Sequence, residues 1–286
     1  YLFTLDDRLI AFVWEKGKPS RSVYLPGFDD DIAAEVKRTE QKIKNRIFFK
    51  RDGKELFDRL LQPLNISAKH LIIVPDKHLW KIPFHALSPD GEKYLIEDKL
   101  VSYAPSVSIL MEQMKSPKAS RRTLQALANS TYKDRVLRYV NDEATSVSRM
   151  FNSRPALNSR ITDFRRLSNK SDILHFSMHA QVDNDQPLDS FLGFRAVGKD
   201  TGRLTVDDIL DSKLKKGSLV FLASCDTNNV LSGEGLVSLA WGMMGAGATT
   251  VISAQWEAND KSTKKFSELF YSELLKGAST SSALQA

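Results

Sequence analysis

Strand-like and helix-like segments alternate along the second half of the chain, and this alternation restricts its fold more than any other feature. Apolar runs at 124–130, 172–179, 217–224 and 248–256 have the length and composition of buried strands. Segments with helical spacing of apolar residues separate them, and a final helical segment ends at Gly277. Strands joined by helices in this way form a mostly parallel sheet with right-handed crossovers. We therefore predict an α/β fold whose sheet is covered by helices on both faces.

A smaller α/β subdomain is predicted to precede this sheet. It would begin with a hairpin whose turn contains Gly17 and Pro19. Two helices, at about 30–50 and 54–64, and strands at 70–76 and 94–106 would follow. The polar stretch KSPKASRR, residues 115–122, is the candidate boundary, which divides the chain into residues 1–115 and 122–286.

The composition limits the classes of protein that fit. With 286 residues, 42% of them hydrophobic, the chain can build a sizeable core. Its single cysteine, Cys225, rules out an internal disulfide framework and predicts a cytoplasmic location. No apolar run has the length of a membrane span, and the first residues lack the features of a signal peptide. The first residue is not Met and the last residues continue a helical pattern, so we expect a part of a longer protein.

The net charge of +6 suggests an acidic partner only if it is concentrated in one place. The densest basic stretch, residues 37–54, also contains acidic residues and has the spacing of a helix. A solvated helix face explains this pattern, and we expect no direct binding to nucleic acid.

Two reactive side chains come directly after predicted strands. His179 ends the strand DILHFSM, and Cys225 ends the strand SLVFLAS. Ligands of parallel α/β sheets bind beyond the carboxyl ends of the strands, so neighbouring strands would bring this thiol and this imidazole together. The alternative is that Cys225 is a small buried hydrophobic residue.

A thiol beside an imidazole has the parts of a cysteine peptidase. The imidazole favours the thiolate and can later protonate the leaving amine. The backbone N–H groups of Ala180 and Cys225 would hold the oxyanion. This chemistry needs no metal and no organic cofactor, and we expect neither. His175 and His179 also form H-x-x-x-H, but on a strand this spacing makes a poor chelate, so His175 is predicted to be buried and structural.

Several segments resemble one known family, the CHAT domains. They are LFDRLLQPL, HLIIVPDKHLWKIPFHAL, EDKLVSYAPSVSIL, DILHFSMHA, FLASCDT and GEGLVSLAWGMMGAGATTVISAQWEAND, in this order from about residue 55 to the end. CHAT domains are caspase-like cysteine peptidase domains related to separase, and they are often fused to tetratricopeptide repeats. The resemblance implies a caspase-like catalytic part at 122–286, preceded by a pseudo-caspase-like part at 1–115.

The resemblance assigns the catalytic dyad to His179 and Cys225. The family motif T-H-G is matched by Met178, His179 and Ala180, and the motif S-A-C-E-T-G is matched by residues 223–228. Two residues depart from the family pattern, because Ala180 and Asn228 stand where glycine is usual. The Cβ of Ala180 restricts a backbone whose amide should help to form the oxyanion hole.

The stretch QWEANDKST resembles the substrate-binding segment of separase-like peptidases. By this resemblance Gln255, Trp256 and Asp260 would bind substrate, with Asp260 selecting a basic P1 residue. The alternative is that Asp260 caps the helix that begins beside it.

The sequence therefore predicts an endopeptidase that uses a Cys–His dyad to cleave a specific protein partner. A regulatory region similar to tetratricopeptide repeats would gate it, and residues 1–54 would connect the two. A catalytically silent interaction or scaffold module is the first alternative. A thiol hydrolase that acts on an ester or on a non-peptide amide is the second.

Overall fold

The computed structural model describes residues 2–5, 8–25, 31–45, 47, 50–116, 122–183, 185–223, 233–256 and 258–286. The chain forms two compact units, residues 1–112 and residues 113–284, and the last two residues are divided between them. The assignment of 1–115 and 122–286 as domains remains a prediction. Within the described ranges, no helix combines the length and the apolar character needed to cross a membrane.

Unit 1 begins with an antiparallel sheet of three strands, which are β1 (Leu2–Leu5), β2 (Arg8–Val13) and β3 (Arg21–Leu25). The predicted hairpin is correct for β2 and β3, but the segment predicted as its first strand is itself two paired strands. Burial alternates along β2, where Leu9, Ala11 and Val13 face the core and Phe12 is exposed. This alternation is the period of a sheet with one solvated face.

The rest of unit 1 places helices around a short parallel pair of strands. Its elements are α1 (Asp31–Lys44), α2 (Lys50–Leu60), β4 (His70–Ile73), α3 (Leu95–Asp98) and β5 (Leu100–Tyr103), and α4 (Val107–Lys115) begins in unit 1 and ends in unit 2. Residues 95–98, predicted to be strand, form a helical turn instead. Its cause is local, because the Glu97 carboxylate accepts the N–H of Tyr94 at the start of the turn.

Unit 2 contains the predicted alternation of strands and helices. Its elements are β6 (Leu124–Asn129), β7 (Thr131–Tyr132), β8 (Arg135–Val136), α5 (Val140–Met150), β9 (Ala156–Leu157), α6 (Ile161–Leu167), β10 (Ile173–Met178), β11 (Ala180–Gln181), β12 (Phe191–Gly193), β13 (Arg203–Thr205), α7 (Val206–Leu210), β14 (Leu219–Leu222), α8 (Gly233–Gly245), β15 (Thr250–Ser253), α9 (Asp260–Leu275) and α10 (Thr280–Gln285).

Five of these strands form one parallel sheet in the order β15-β14-β10-β6-β9. Strand β10 lies at its centre, paired with β6 on one side and with β14 on the other. All six residues of β10 are buried, as expected for a strand covered on both faces. The predicted α/β fold with a mostly parallel sheet flanked by helices is confirmed.

The two faces of this sheet pack against different helices. Leu174, Phe176 and Met178 of β10 lie in one core cluster with residues of α6, α7 and α8. Ile173, which points the other way, lies in a second cluster with residues of α5 and α9. Strand β14 follows the same rule, because Leu219 and Ala223 share the cluster of α5 and α9. We call these two sides the α6–α8 face and the α5–α9 face.

Candidate active site

The carboxyl ends of β14, β10 and β6 lie side by side at one edge of the sheet, because the three strands are parallel and adjacent. His179 follows the last residue of β10 at this edge and is only 4% exposed. Its even-numbered neighbours on both sides, Met178 and Ala180, belong to the cluster on the α6–α8 face. Since successive side chains of an extended chain alternate, His179 belongs to the α5–α9 face.

Strand β14 leads to the other predicted member of the dyad. Its pairing with β10 continues past the strand, because the Ala223 N–H donates to the Phe176 carbonyl at 2.9 Å. Cys225 comes two residues after Ala223 and lies outside the described residues, as does Asn228. The predicted adjacency of the two strands is therefore confirmed, whereas the contact between thiol and imidazole stays a prediction.

A small antiparallel sheet holds the backbone after His179. Strand β11 begins at Ala180 and pairs with β12, which pairs with β13. The Gly193 N–H donates to the His179 carbonyl at 2.8 Å, and Ala180 is the partner of Leu192. A residue in this position of an antiparallel ladder directs its own N–H away from the neighbouring strand. The Ala180 N–H therefore points away from β12.

Alanine fits the backbone at position 180. Ala180 does not have a positive φ, so its Cβ causes none of the strain that a left-handed conformation would impose. It is 4% exposed, and its side chain packs in the cluster on the α6–α8 face. The replacement of the usual glycine therefore leaves the conformation of this segment unstrained.

Residues from β6 and β7 fix the small sheet against the main one. The buried Asn129 side chain donates from Nδ2 to the carbonyls of Thr131 and Gly193, at 2.8 and 2.9 Å. The Tyr132 ring covers Gly193 so closely that a Cβ at this position would lie 2.9 Å from it. Burial raises the pKa of the Tyr132 phenol, and the nearby Arg203 guanidinium opposes that shift. These residues could not be predicted from the sequence, because no local pattern indicates that Asn129 contacts Gly193, 64 residues later.

The three residues predicted to bind substrate follow β15, at the same edge of the sheet. Gln255 and Trp256 are half-buried, and the Gln255 Oε1 atom is buried without a hydrogen bond to any described residue. Asp260 is the first residue of α9, and Asn259 is the N-cap of that helix.

The Asp260 carboxylate bridges two helices. Its Oδ2 atom accepts the N–H groups of Arg138 and Tyr139, at 2.8 and 3.2 Å, at the start of α5. Its Oδ1 atom accepts the N–H of Lys261 at 2.9 Å. Asp260 thus binds the backbone N–H groups of the two residues immediately before α5, where a negative charge is favourable.

The parallel five-stranded sheet with helices on both faces and a histidine at its carboxyl edge is the architecture of a caspase-like α/β domain. Residues 50–286 match the CHAT domain, and the chain belongs to this family, which is related to caspase-like cysteine peptidases.

Two relatives are tetratricopeptide repeat proteins. Tetratricopeptide repeat protein 28 of Homo sapiens is 25% identical over 83% of this chain, and the match covers 12% of the relative. Tetratricopeptide repeat protein 28 of Mus musculus is 36% identical over 28% of this chain, and this match covers 3% of the relative. The chain thus spans a small fraction of the length of these relatives.

Proposed function

We propose that this chain is the peptidase part of a larger protein, and that Cys225 and His179 are its catalytic dyad. One observation carries the proposal. Each paired residue of β10 faces the β14 residue 46 positions later, and Cys225 comes 46 positions after His179. If the pairing continued to residue 225, the two reactive residues would stand opposite each other. The alternation of faces agrees, because Phe221 and Ala223 pack on the α5–α9 face, to which His179 belongs.

The proposed reaction is hydrolysis of a peptide bond through an acyl-enzyme. His179 takes the proton of the Cys225 thiol, and the thiolate forms a bond to the substrate carbonyl carbon. His179 then gives its proton to the amine, which leaves as the C–N bond breaks. Water attacks the thioester with His179 as general base, and the carboxylic acid and the free thiol are released.

The oxyanion of each tetrahedral intermediate would accept hydrogen bonds from the N–H groups of Ala180 and Cys225. The direction of the Ala180 N–H supports this role, because it points away from β12 and is not needed for the ladder. The unstrained backbone of Ala180 supports activity over a silent module. The fold of the small sheet would hold this donor in place before substrate binds.

Gln255, Trp256 and Asp260 form the proposed substrate-binding segment. The unpartnered Gln255 Oε1 is an acceptor available to a main-chain or side-chain N–H of the substrate. A carboxylate at position 260 would favour a basic P1 residue through charge complementarity. A P1-diverse peptide library tests this point, with Asp260→Asn as the informative variant. Asparagine keeps an acceptor for the Arg138 and Tyr139 N–H groups but removes the charge, so the preference for a basic P1 residue should disappear. Equal P1 profiles of Asp260→Asn and the unsubstituted protein would exclude Asp260 from the P1 site.

The dyad is tested by substitution in the whole protein. Cys225→Ala and His179→Ala should each abolish cleavage of a protein or peptide substrate, while His70→Ala, an exposed histidine in unit 1, should leave it unchanged. Candidate proteins encoded near the gene are the first substrates to incubate with it. Cleavage that survives Cys225→Ala would refute the dyad.

A regulatory region is the proposed partner within the full-length protein. The relatives are named for tetratricopeptide repeats and extend far beyond the matched segment, which supports control by a helical repeat region. The full-length protein should cleave only with its activating ligand, and a form without the repeats should lose that dependence. Equal activity of both forms without ligand would exclude gating by the repeats.

The alternative functions are a silent scaffold and a thiol hydrolase with another substrate. The departures from the family's glycines at Ala180 and Asn228 keep the first of these open. A peptidyl electrophile separates these possibilities, because a working peptidase is labelled at Cys225 and His179→Ala blocks the labelling. A scaffold would not be labelled in any bound state, and an esterase would turn over esters faster than peptides.

A further inference from the structure

One edge of the parallel sheet of unit 2 is open. Strand β15 lies at this edge and, within the described ranges, pairs only with β14. Three of its four residues, Thr250, Val251 and Ser253, are partly exposed. An open edge presents backbone N–H and C=O groups in the geometry that another strand needs for pairing. The outer side of β15 can therefore extend the sheet by one more strand.

The two edges of this sheet differ in their protection against such pairing. Proteins commonly protect an edge strand by keeping it short or by placing proline or charged side chains on it. The opposite edge strand, β9, has two residues and follows Pro155 directly. Strand β15 has four residues, and the segment 248–255 around it contains neither proline nor a charged residue. The β15 edge therefore lacks the features that prevent pairing with another strand.

Exposed apolar side chains flank the β15 edge on the α5–α9 face. Helix α9 contacts α5 through Ser267 and Glu268, so the helical period places Phe266 and Leu269 on the flank of α9 that is remote from α5. Because α5 packs on β6 and β10, this flank lies on the side of β15. Phe266 is 42% exposed and Leu269 is 57% exposed. We call the outer side of β15 and these two side chains the β15 edge surface.

The charges beside this surface are opposite at its two ends. Lys265 precedes the two apolar residues of α9, and Glu273 follows them. Lys265 has no ion pair with any described residue, and the described partner of Glu273 is the exposed Lys276 in the next turn. A twofold axis through the middle of the surface would run two copies of α9 antiparallel, so that Lys265 of each copy would meet Glu273 of the other. The surface is thus complementary in charge to itself.

We propose that the β15 edge surface binds a second copy of this chain around a twofold axis. The two β15 strands would pair antiparallel and join the two sheets into one. Phe266 of each copy would pack against Leu269 of the other on the α5–α9 face. A strand of a different protein would satisfy the backbone of β15 but would bring no helix to cover these two side chains, whereas a second copy brings both elements. This proposal does not depend on the catalytic role of Cys225 and His179.

Sedimentation of the whole protein from about 1 to 100 µM tests the association without any measurement of cleavage. The mean mass should rise with concentration toward that of a dimer. Leu269→Lys places a charge from each copy at the contact and should raise the dissociation constant about tenfold or more. Leu275→Lys is the matched control, because Leu275 is also an exposed leucine of α9 but lies about two and a half turns from Phe266, on the opposite side of the helix. It should leave the dissociation constant unchanged.

An exchange of charges separates this contact from a general loss of the fold. Glu273→Lys brings like charges together and should weaken the dimer, and Lys265→Glu in the same chain should restore it. Hydrogen exchange of residues 250–253 should slow as the concentration rises, because the outer N–H groups of β15 become paired. A monomer at every concentration, or an association that neither Leu269→Lys nor Glu273→Lys weakens, would overturn the proposal. Protection of residues 250–253 that is independent of concentration would also overturn it, because the edge would then be covered within one molecule.

Discussion

Two glycines in the turn between β12 and β13 allow a matched test of how the small sheet is held. Gly198 and Gly202 both have a positive φ, +60° and +71°. A Cβ at Gly198 would meet no atom within 4 Å, whereas a Cβ at Gly202 would lie 2.2 Å from the Phe194 carbonyl oxygen. The same turn is closed by the Phe194 N–H, which donates to the Gly202 carbonyl at 2.7 Å. The two positions therefore share the backbone strain and differ in the steric contact.

The expected destabilisation follows from this difference. Alanine in a left-handed conformation costs about 1–2 kcal/mol at either position. At Gly202 the backbone must also move away from Phe194, which adds about 1–3 kcal/mol, the range of an overpacked site. We expect Gly198→Ala to lower the free energy of unfolding by about 1–2 kcal/mol and Gly202→Ala by about 2–5 kcal/mol.

Hydrogen exchange localised to residues 191–205 is the appropriate assay, because the chain has two compact units and a single unfolding transition cannot be assumed. Gly202→Ala should reduce protection in this segment and should also slow labelling of Cys225, since β12 holds the backbone of His179 and Ala180. Gly198→Ala should affect the protection of this segment and the labelling of Cys225 much less. Equal loss of protection in the two variants would refute the steric argument.

Three further predictions concern single residues. Burial lowers the pKa of His85 to about 4, so between pH 6.5 and pH 4 the unfolded chain binds a proton that the folded chain does not. The free energy of unfolding should therefore decrease by up to about 3 kcal/mol as the pH falls through this interval, and His85→Gln should reduce this decrease. Hydrogen bonds from Lys18 and Ser67 lower the pKa of Glu15 to about 2. The ionised Glu15 side chain therefore stabilises the fold fully above about pH 4.5, and this stabilisation is lost as the pH falls toward 2. The melting temperature of Glu15→Gln should vary less with pH over this range than that of the unsubstituted protein, and an equal pH dependence of the two would contradict this role of Glu15. Asn129→Ala leaves the buried Gly193 carbonyl and the partly exposed Thr131 carbonyl without this donor and should cost about 1–3 kcal/mol in urea unfolding; a loss well below about 1 kcal/mol would mean that water replaces the amide.

The strands that carry the candidate dyad could be predicted because their signal is local. The segments DILHFSMH and GSLVFLAS are apolar runs of strand length, and β10 and β14 lie within them. The 46-residue spacing between His179 and Cys225 was visible in the sequence, and it equals the pairing offset of the two strands. The prediction that His175 is buried is confirmed, and both of its ring nitrogens lie within hydrogen-bond distance of a hydroxyl group.

What could not be predicted depends on contacts between distant residues. Asn141 is of a residue type that favours N-caps, but the N-cap of α5 is Tyr139, whose N–H donates to Asp260, more than 120 residues later. The strands of the small sheet are only two or three residues long, too short for a periodic signal, and the β11–β12 pair closes through the Gly193–His179 hydrogen bond. The prediction of strand at 95–98 failed because the local hydrogen bond from the Tyr94 N–H to the Glu97 carboxylate favours a helical turn.

Because Cys225 is the only cysteine among residues 1–286, its alkylation in the whole protein can be followed on the one cysteine-containing peptide of this chain. The second-order rate constant for iodoacetamide, measured from pH 5 to pH 10, gives its titration midpoint directly. An imidazole beside the thiol predicts a midpoint well below the usual value of about 8.5 and a return toward that value in His179→Ala. A midpoint at or above about 8.5 that His179→Ala leaves unchanged would contradict the pairing of Cys225 with His179.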